Sequence, residues 1–486
     1  MTGAATGATR AGAAPGEAAA RRPAPTRAST GWAPVPAYAR TATSALPEAE
    51  AAGRTLTGAR GWLEAHLEWF APTRWEEFLP RRPFRPGPLL ELLGLVRLMA
   101  RADVCDTACP LPSRALDLAE RAVAEPDFEE GLYRADELFP YHLNLVALLG
   151  ALGRPQPALR TACERLLAAG AGGHTRPYKP PLSRLELRYF LDRGGFRAHG
   201  RGHVPMPALG DLYRESIPAQ RPDVLHLTGS ETYALTHALF YATDFGAHRG
   251  LLGDREEQDR VRETVRVLLA VHLARGSLDL AAELLLCGAA LGGVRDPGLT
   301  RRGWNTLAHA QRADGAVPSP VHRPDVLEGL TGDKAVAYVF GTCYHTTLAA
   351  ALAATVRRET APETAPETAA ETAPETAPET APETAPRTPD TGPAPDPAPD
   401  LDPELPCADP AMILRWVEHL TETAQSEHRG AYETCSARLD PLLVLCVQAR
   451  DLPTLAAVQR AARLLGRAED PVPSAAAAYA AAAEGR

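Results

Sequence analysis

The chain has 486 residues, of which 45% are hydrophobic, so it is long and apolar enough to bury a sizeable core. Its formal net charge of −9 is unevenly distributed: residues 359–405 carry −11 and residues 1–55 carry +3, which leaves −1 for the remainder. A nearly neutral body lacks the basic field that nucleic-acid binding or anionic membranes require.

Helical periodicity dominates the chain after residue 55. Residues 1–55 are rich in Ala, Gly, Pro and Thr, which predicts a disordered N-terminal tail. Further on, apolar residues recur at helical spacing and alternating β-branched runs are scarce, so the sequence predicts an all-α protein. The predicted helices are Leu56–Phe70, Leu89–Ala102, Ser113–Ala124, Tyr141–Leu152, Pro157–Ala169, Ser183–Leu191, Ser230–Gly246, Asp254–Ala274, Leu278–Leu291, Arg301–Arg312, Gly341–Val356, Ala411–Ala424, Pro441–Gln448 and Leu452–Leu465.

A low-complexity segment interrupts this pattern. Residues 359–386 repeat the tetrads E-T-A-P or E-T-A-A, and a run rich in Pro and Asp follows. Proline at nearly every fourth residue opposes a stable helix and the glutamates repel one another, so residues 359–405 are predicted to be a disordered acidic linker. It is either a spacer or partner ligand, or an expanded repeat without function. Residues 467–486 are predicted to be a flexible Ala-rich tail.

The most apolar helices recur about every 50 residues, the length of one helical hairpin. Residues 56–358 and 406–466 would then form one domain of repeated hairpins, either an open solenoid or a closed α/α toroid. The last hairpin lacks the polar face of a capping unit, which favours the toroid. Residues 406–466 would close the ring against residues 56–103. The helix centres lie near Leu92, His142, Leu187, His237, Cys287, His345 and Leu443.

The stretch Ser230–Gly246 holds the clearest pattern of polar chemistry. On a helix capped by Ser230 and closed by Gly246, the side chains of Tyr233, His237, Tyr241 and Asp244 share one face. An ordinary surface helix would carry Lys, Glu and Arg there. This face therefore predicts a site that looks into an enclosed space.

His142, His237 and His345 occupy corresponding positions near the start of three inner helices. If those helices line one cavity, their imidazoles could transfer protons near neutral pH. The alternative is that each histidine is a hydrogen-bonded core residue. A metal site built from His237, His345, Cys343 and Asp244 is a weaker alternative, because no local metal-binding motif is present.

Two motifs resemble known families. Residues 311–315, Q-R-A-D-G, resemble the Q-x-x-D-G turn of α/α toroids such as terpene cyclases and protein prenyltransferase β-subunits. That resemblance implies a fold only, since the D-x-D-D acid motif of the cyclases is absent. The signature T-H-x-x-F-Y-x-T-D-F-G at residues 236–246 resembles that of an uncharacterised bacterial helical family, a domain of unknown function that implies no activity.

Cysteine usage and the lack of targeting signals bear on location. Eight cysteines without a C-x-x-C pair predict reduced, mostly buried thiols. No secretory h-region and no run of 18 apolar residues occurs, so we expect a cytoplasmic protein without a membrane partner. The absence of Gly-rich phosphate loops predicts that no nucleotide cofactor is used.

Two functions remain open from the sequence. The first is a biosynthetic enzyme acting on a small organic or peptide substrate in the central cavity, by lyase, cyclase or transfer chemistry without a cofactor. His237 would be the general acid or base, and Tyr233, Tyr241, Asp244 and His345 would position the substrate or donate to it. The second is a non-catalytic ligand-binding or scaffold protein with a helical repeat body.

Overall fold

The protein is all-α. The computed structural model describes residues 45–173, 175–196, 206–294, 296–360 and 429–484, with side chains from 438 to 483 in the last range. These residues contain eighteen α-helices and no β-strand. The helices are α1 (Glu48–Ala65), α2 (Pro72–Phe78), α3 (Gly87–Arg101), α4 (Pro110–Ala124), α5 (Pro126–Tyr133), α6 (Phe139–Ala151), α7 (Pro157–Ala168), α8 (Pro181–Gly194), α9 (Leu209–Arg214), α10 (Gly229–Thr243), α11 (Arg255–Arg275), α12 (Leu278–Ala290), α13 (Pro297–Ala310), α14 (Pro324–Glu328), α15 (Gly332–Thr360), α16 (Arg429–Ala449), α17 (Leu452–Leu464) and α18 (Pro471–Glu484).

Six helices contact one another in a cyclic order. Helix α3 packs against α6, α6 against α8, α8 against α10, α10 against α12, α12 against α15, and α15 returns to α3. These are six of the seven helices that the spacing marks as inner. Amphipathic helices such as α1, α4, α11 and α13 bury their apolar faces against neighbouring helices.

Helix α1 and the residues just before it contact α13, α15 and the turn that follows α13. The side chain of Asn305 in α13 exchanges hydrogen bonds of 2.7 and 2.9 Å with the backbone of Leu46. Gln311 donates to the Thr55 carbonyl at 3.0 Å. Gly315, at φ +98°, lies so close to α1 that an added Cβ would stand 2.2 Å from the carbonyl oxygen of Gly58. The Q-R-A-D-G turn therefore docks on α1, where only glycine fits.

The prediction that residues 406–466 close the ring against residues 56–103 is wrong for the described part. Helix α16 packs instead against α11, α17 and α18. A buried carboxylate, Asp440, fixes this arrangement, since it lies 3.5 Å from Arg266 of α11 and 3.0 Å from Arg467. Charges buried in this way persist only when paired. The predicted helix Ala411–Ala424 lies outside the described residues.

Three predicted boundaries of unstructured segments also differ from the structure. Helix α1 begins at Glu48, inside the predicted tail 1–55, and α15 continues to Thr360, two residues into the predicted linker. The predicted flexible tail contains α18, which packs on α16 and α17 and buries Ala476 completely. Alanine is the best helix former, so an Ala-rich segment with an apolar neighbour becomes a helix. Residues 361–405 lie outside the described ranges.

Two further features concern the environment of the chain. In the described part, α15 is long and apolar enough to cross a membrane, but 78% of its apolar window is buried, as in the core helix of a soluble protein. It is therefore weak evidence for a membrane span. Cys105 and Cys109 form a disulfide, contrary to the prediction of reduced thiols, and the four free cysteines of the described part are buried.

Candidate active site

The key helix α10 starts and ends at residues other than those predicted. Its N-cap is Thr228, whose hydroxyl accepts from the backbone N–H of Glu231, while the Glu231 carboxylate accepts from Thr228 N. This capping box places the N-cap two residues before Ser230, and the helix begins at Gly229. The C-cap is Asp244, in the left-handed conformation at φ +47°, in place of the expected Gly246.

His237 lies in the middle of α10 and retains 34% side-chain exposure. Its Nδ1 lies 2.9 Å from the backbone carbonyl of Tyr233. A carbonyl can only accept, so Nδ1 carries the proton and a neutral His237 has its basic lone pair on Nε2. In the described residues no group bonds Nε2. The imidazole is therefore held in the tautomer of a proton acceptor.

Glu283 of α12 lies behind this histidine, and sequence reasoning missed it. Its side chain is 4% exposed, and one carboxylate oxygen lies 3.6 Å from His237 Nδ1. The same oxygen accepts a 2.5 Å hydrogen bond from Thr236. A buried carboxylate against Nδ1 stabilises the imidazolium that forms when Nε2 takes a proton.

His345 of α15 joins the same group from the other side. Its Nδ1 lies 3.0 Å from Glu91 of α3, and its Nε2 lies 3.6 Å from Glu283. Burial lowers the pKa of His345, but hydrogen bonds to Glu283 and Glu91 and their charges outweigh it and raise that pKa to about 10. Glu91 and His345 keep 36% and 40% exposure, so both side chains are accessible to solvent.

Two tyrosines of α10 contact further carboxylates. Tyr233 donates to Asp279, and Tyr241 donates to Glu186 of α8, which also accepts from Asn144 of α6 at 3.1 Å. Burial raises the pKa of Glu186, opposed by the charge of a protonated His237 and by these hydrogen bonds. Each of the six helices in the cycle thus contributes a polar side chain to one group.

A third tyrosine connects this group to a cation. The Tyr344 hydroxyl accepts a 2.6 Å hydrogen bond from Arg82 and donates to Glu91. The Arg82 guanidinium stacks on the rings of Trp75, at 4.4 Å, and Tyr344, at 5.3 Å. Burial raises the pKa of Tyr344, so its phenol stays protonated.

Asp244, predicted to share the site with His237, belongs to a separate cluster. Its carboxylate lies 2.7 Å from Arg97, 2.9 Å from Arg193 and 2.6 Å from the hydroxyl of Tyr189. Burial raises its pKa, but Arg97, Tyr189 and Arg193 outweigh that and hold the pKa below its usual value. Two helical turns separate it from His237 along α10, so it fixes the helix end and has no contact with the imidazole.

The other residues predicted for proton transfer or metal binding also lie elsewhere. His142 is buried, with Nδ1 3.0 Å from the Leu138 carbonyl and its ring packed against Phe84 and Phe128, so it is a core residue. Cys343 lies 3.7 Å from His322, and burial raises its pKa to about 11. The described residues contain no group of three His, Cys, Asp or Glu that could hold a metal. The four predicted ligands are thus divided among three places.

A simple signal could have revealed the missed carboxylates. Glu91 stands in L-L-E-L-L and Glu283 in A-A-E-L-L-L, each a lone charge within a short apolar stretch of its helix. Glu186 stands in R-L-E-L-R, on a helix that also belongs to the inner cycle. A carboxylate rarely enters a buried face unless it is paired, so such glutamates indicate a polar interior.

Comparison with known protein families gives a family without a known activity. A family model described as a domain of unknown function (DUF6895) matches residues 56–355. The match spans more than half of the 486 residues, so the chain belongs to this family. The expected resemblance to an uncharacterised helical family is thereby confirmed. Comparisons with curated proteins and with solved structures found no match.

Proposed function

We propose that this family member is an enzyme that performs acid–base chemistry on a small organic or peptide substrate. The substrate would bind in the space between α3, α6, α8, α10, α12 and α15, which we take to form an α/α toroid because their contacts run in a cycle. The observation that carries the proposal is the state of His237. Its Nδ1 bonds the Tyr233 carbonyl, its Nε2 is left for a substrate, and its side chain is 34% exposed.

His237 would act as the general base. The Tyr233 carbonyl orients the ring, and Glu283 stabilises the charge that develops when Nε2 accepts a proton. His345 lies 3.6 Å from Glu283 on its other side and offsets part of the charge of this carboxylate. These contacts assign His345 a positioning role.

Glu186 would act as the general acid. Burial raises its pKa, so it holds a proton closer to neutral pH than an ordinary glutamate does. Tyr241, which donates to Glu186, lies on the same helix as His237 with its ring centroid 6.4 Å from the imidazole, so Glu186 is one residue removed from the base. An acid and a base whose environments separate their pKa values can protonate one atom of a substrate while deprotonating another.

A non-catalytic binding protein is the second candidate. The observation in its favour is that His345 holds Glu91 and Glu283 in fixed pairs, an arrangement that would also serve as a rigid binding surface. Such a protein would retain its ligand unchanged. Turnover therefore separates the two functions.

The test compares substrate consumption by variants. Purified wild-type protein, His237→Ala and Glu186→Gln would each be incubated with a metabolite extract of the native host, and the products followed by mass spectrometry. We expect a compound that wild type consumes and both variants leave intact. The control is His226→Ala, since His226 is 61% exposed and pairs with Asp223 on a loop. Consumption by His237→Ala at the wild-type rate would refute the proposal, and capture of a compound without conversion would favour the binding protein.

A further inference from the structure

The hydrogen-bond donors of the candidate site are directed at its own acceptors. Both ring nitrogens of His345 face carboxylates, at 3.0 and 3.6 Å, and this environment stabilises the imidazolium form of the ring. The other donors are committed in the same way. These pairs are Tyr233 to Asp279, Tyr241 to Glu186, Tyr344 to Glu91, Thr236 to Glu283, Asn144 to Glu186 and His237 to the Tyr233 carbonyl.

What these pairs leave for a ligand is mainly acceptors. His237 offers Nε2, and Glu91 retains 36% exposure after bonding its two neighbours. Asn144 is fully buried, yet its Oδ1 has no donor in the described residues. A buried carbonyl oxygen without a donor is unusual in native proteins and calls for a partner that donates, such as an ordered water or a cationic ligand. This second observation is independent of the carboxylates.

Carboxylates outnumber cations in the site. Glu91 and Glu283 face the imidazolium of His345, and Asp279 accepts a hydrogen bond from Tyr233, whose ring lies beside His345. Arg82 lies on the wall, where its guanidinium stacks on aromatic rings and donates to a tyrosine. An anionic ligand would meet repulsion in this space, and a cationic ligand would be attracted.

The guanidinium groups further along the same helices belong to the separate cluster around Asp244. Arg97 and Arg193 are paired with Asp244 at the carboxyl ends of the helices. Arg101 is paired with Glu359 at 2.6 Å and also bonds the Asp244 carbonyl. These three cations share the two carboxylates of Asp244 and Glu359, and they fix the ends of α10 and α15.

We propose that the ligand of this site carries a protonated amine, bound by the free acceptors and the aromatic faces around His237. An ammonium group only donates, which matches a site whose remaining groups accept. The ring of Tyr233 lies beside His237 and His345, and the ring of Tyr241 lies beside His237, with tyrosine-to-histidine centroid distances of 6.3–6.4 Å. These rings add the aromatic surface that organic cations favour. The inference rests on the proposed function only in placing the ligand in the same space.

The test uses three compounds of one shape and different charge: benzylammonium, benzyl alcohol and benzoate. Dissociation constants would be measured by ligand-observed NMR on the full chain. We expect benzylammonium to bind at least about tenfold more tightly than benzyl alcohol, as charged hydrogen bonds require, and benzoate not to bind. Glu91→Gln should abolish the preference, whereas Glu129→Gln, which removes an exposed charge on α5, should preserve it. If Glu91→Gln does not fold, Asp279→Asn provides the same comparison.

Equal binding of benzyl alcohol, binding of benzoate, or no binding by any of the three would overturn the inference. So would a preference that survives both Glu91→Gln and Asp279→Asn. This assay requires no turnover, so it fails separately from the proposed enzyme. Amine binding without any consumption of metabolites would leave the ligand class standing and remove the catalytic role.

Discussion

Replacing His237 by alanine distinguishes a residue of a cavity from a residue of the core. The imidazole is 34% exposed and bonds one carbonyl, that of Tyr233, which also lies 2.9 Å from the Thr236 hydroxyl. Its loss removes one hydrogen bond, worth about 0.5–1.5 kcal/mol, and alanine returns a few tenths through its helix propensity. We therefore expect His237→Ala to lower the free energy of unfolding by about 1 kcal/mol or less.

The matched control lies on the opposite face of the same helix. Leu239 is completely buried, so Leu239→Ala should lower the free energy of unfolding by about 2–5 kcal/mol through the cavity it creates. Urea denaturation measures both losses, provided that the slope of the free energy of unfolding against urea concentration is compared between the variants. If His237→Ala destabilises the protein as much as Leu239→Ala does, His237 belongs to the core and the reasoning fails.

Four other perturbations have outcomes that the contacts define. Asp244→Asn should lower the free energy of unfolding in urea by about 3 kcal/mol, the lower end of the range for breaking a buried ion pair, because its arginine partners are partly exposed. A loss below about 1 kcal/mol would contradict the conclusion that Asp244 fixes the end of α10. Gly315→Ala should cost at least about 1–3 kcal/mol, because φ is +98° and its Cβ would meet the Gly58 carbonyl, and an unchanged melting temperature would argue against this docking. The pKa of His345 is raised in the fold to about 10, so its contribution to stability is complete below about pH 6.5 and is lost as the pH rises towards 10; urea midpoints of wild type should fall over this range more than those of His345→Gln. Shortening residues 361–405 to about ten should raise stability by about 1 kcal/mol, since loop-closure entropy grows slowly with length, and a melting temperature lowered by several degrees would show that the segment packs on the body.

The sequence could predict the fold class because the signals for helices are local. The spacing of apolar residues along α3, α10 and α12 is visible within one or two turns, and so is the polar face that carries Tyr233, His237 and Tyr241. Errors at the ends of elements have local causes too. The capping box at Thr228 competes with Ser230, and alanine propensity turns a predicted tail into α18.

The site's partners could not be predicted, because they come from distant parts of the chain. Glu283 is 47 residues from Thr236, and Glu91 is 254 residues from His345. Which carboxylate faces which imidazole depends on how helices pack, and packing is decided by the burial of whole apolar faces. For the same reason Asp244 shares a helix face with His237 and yet pairs with Arg97, 147 residues away.

By itself, the sequence determined that this chain is helical, where most of its helices lie and which side of α10 is polar. Those properties follow from residue spacing along one helix. The tertiary structure decided that α1 meets α13 and α15, that α16 lies against α11, and that His237 shares Glu283 with His345. Each of these depends on contacts between segments far apart in the chain. Many arrangements of the helices have comparable contact energies until the complete core is packed.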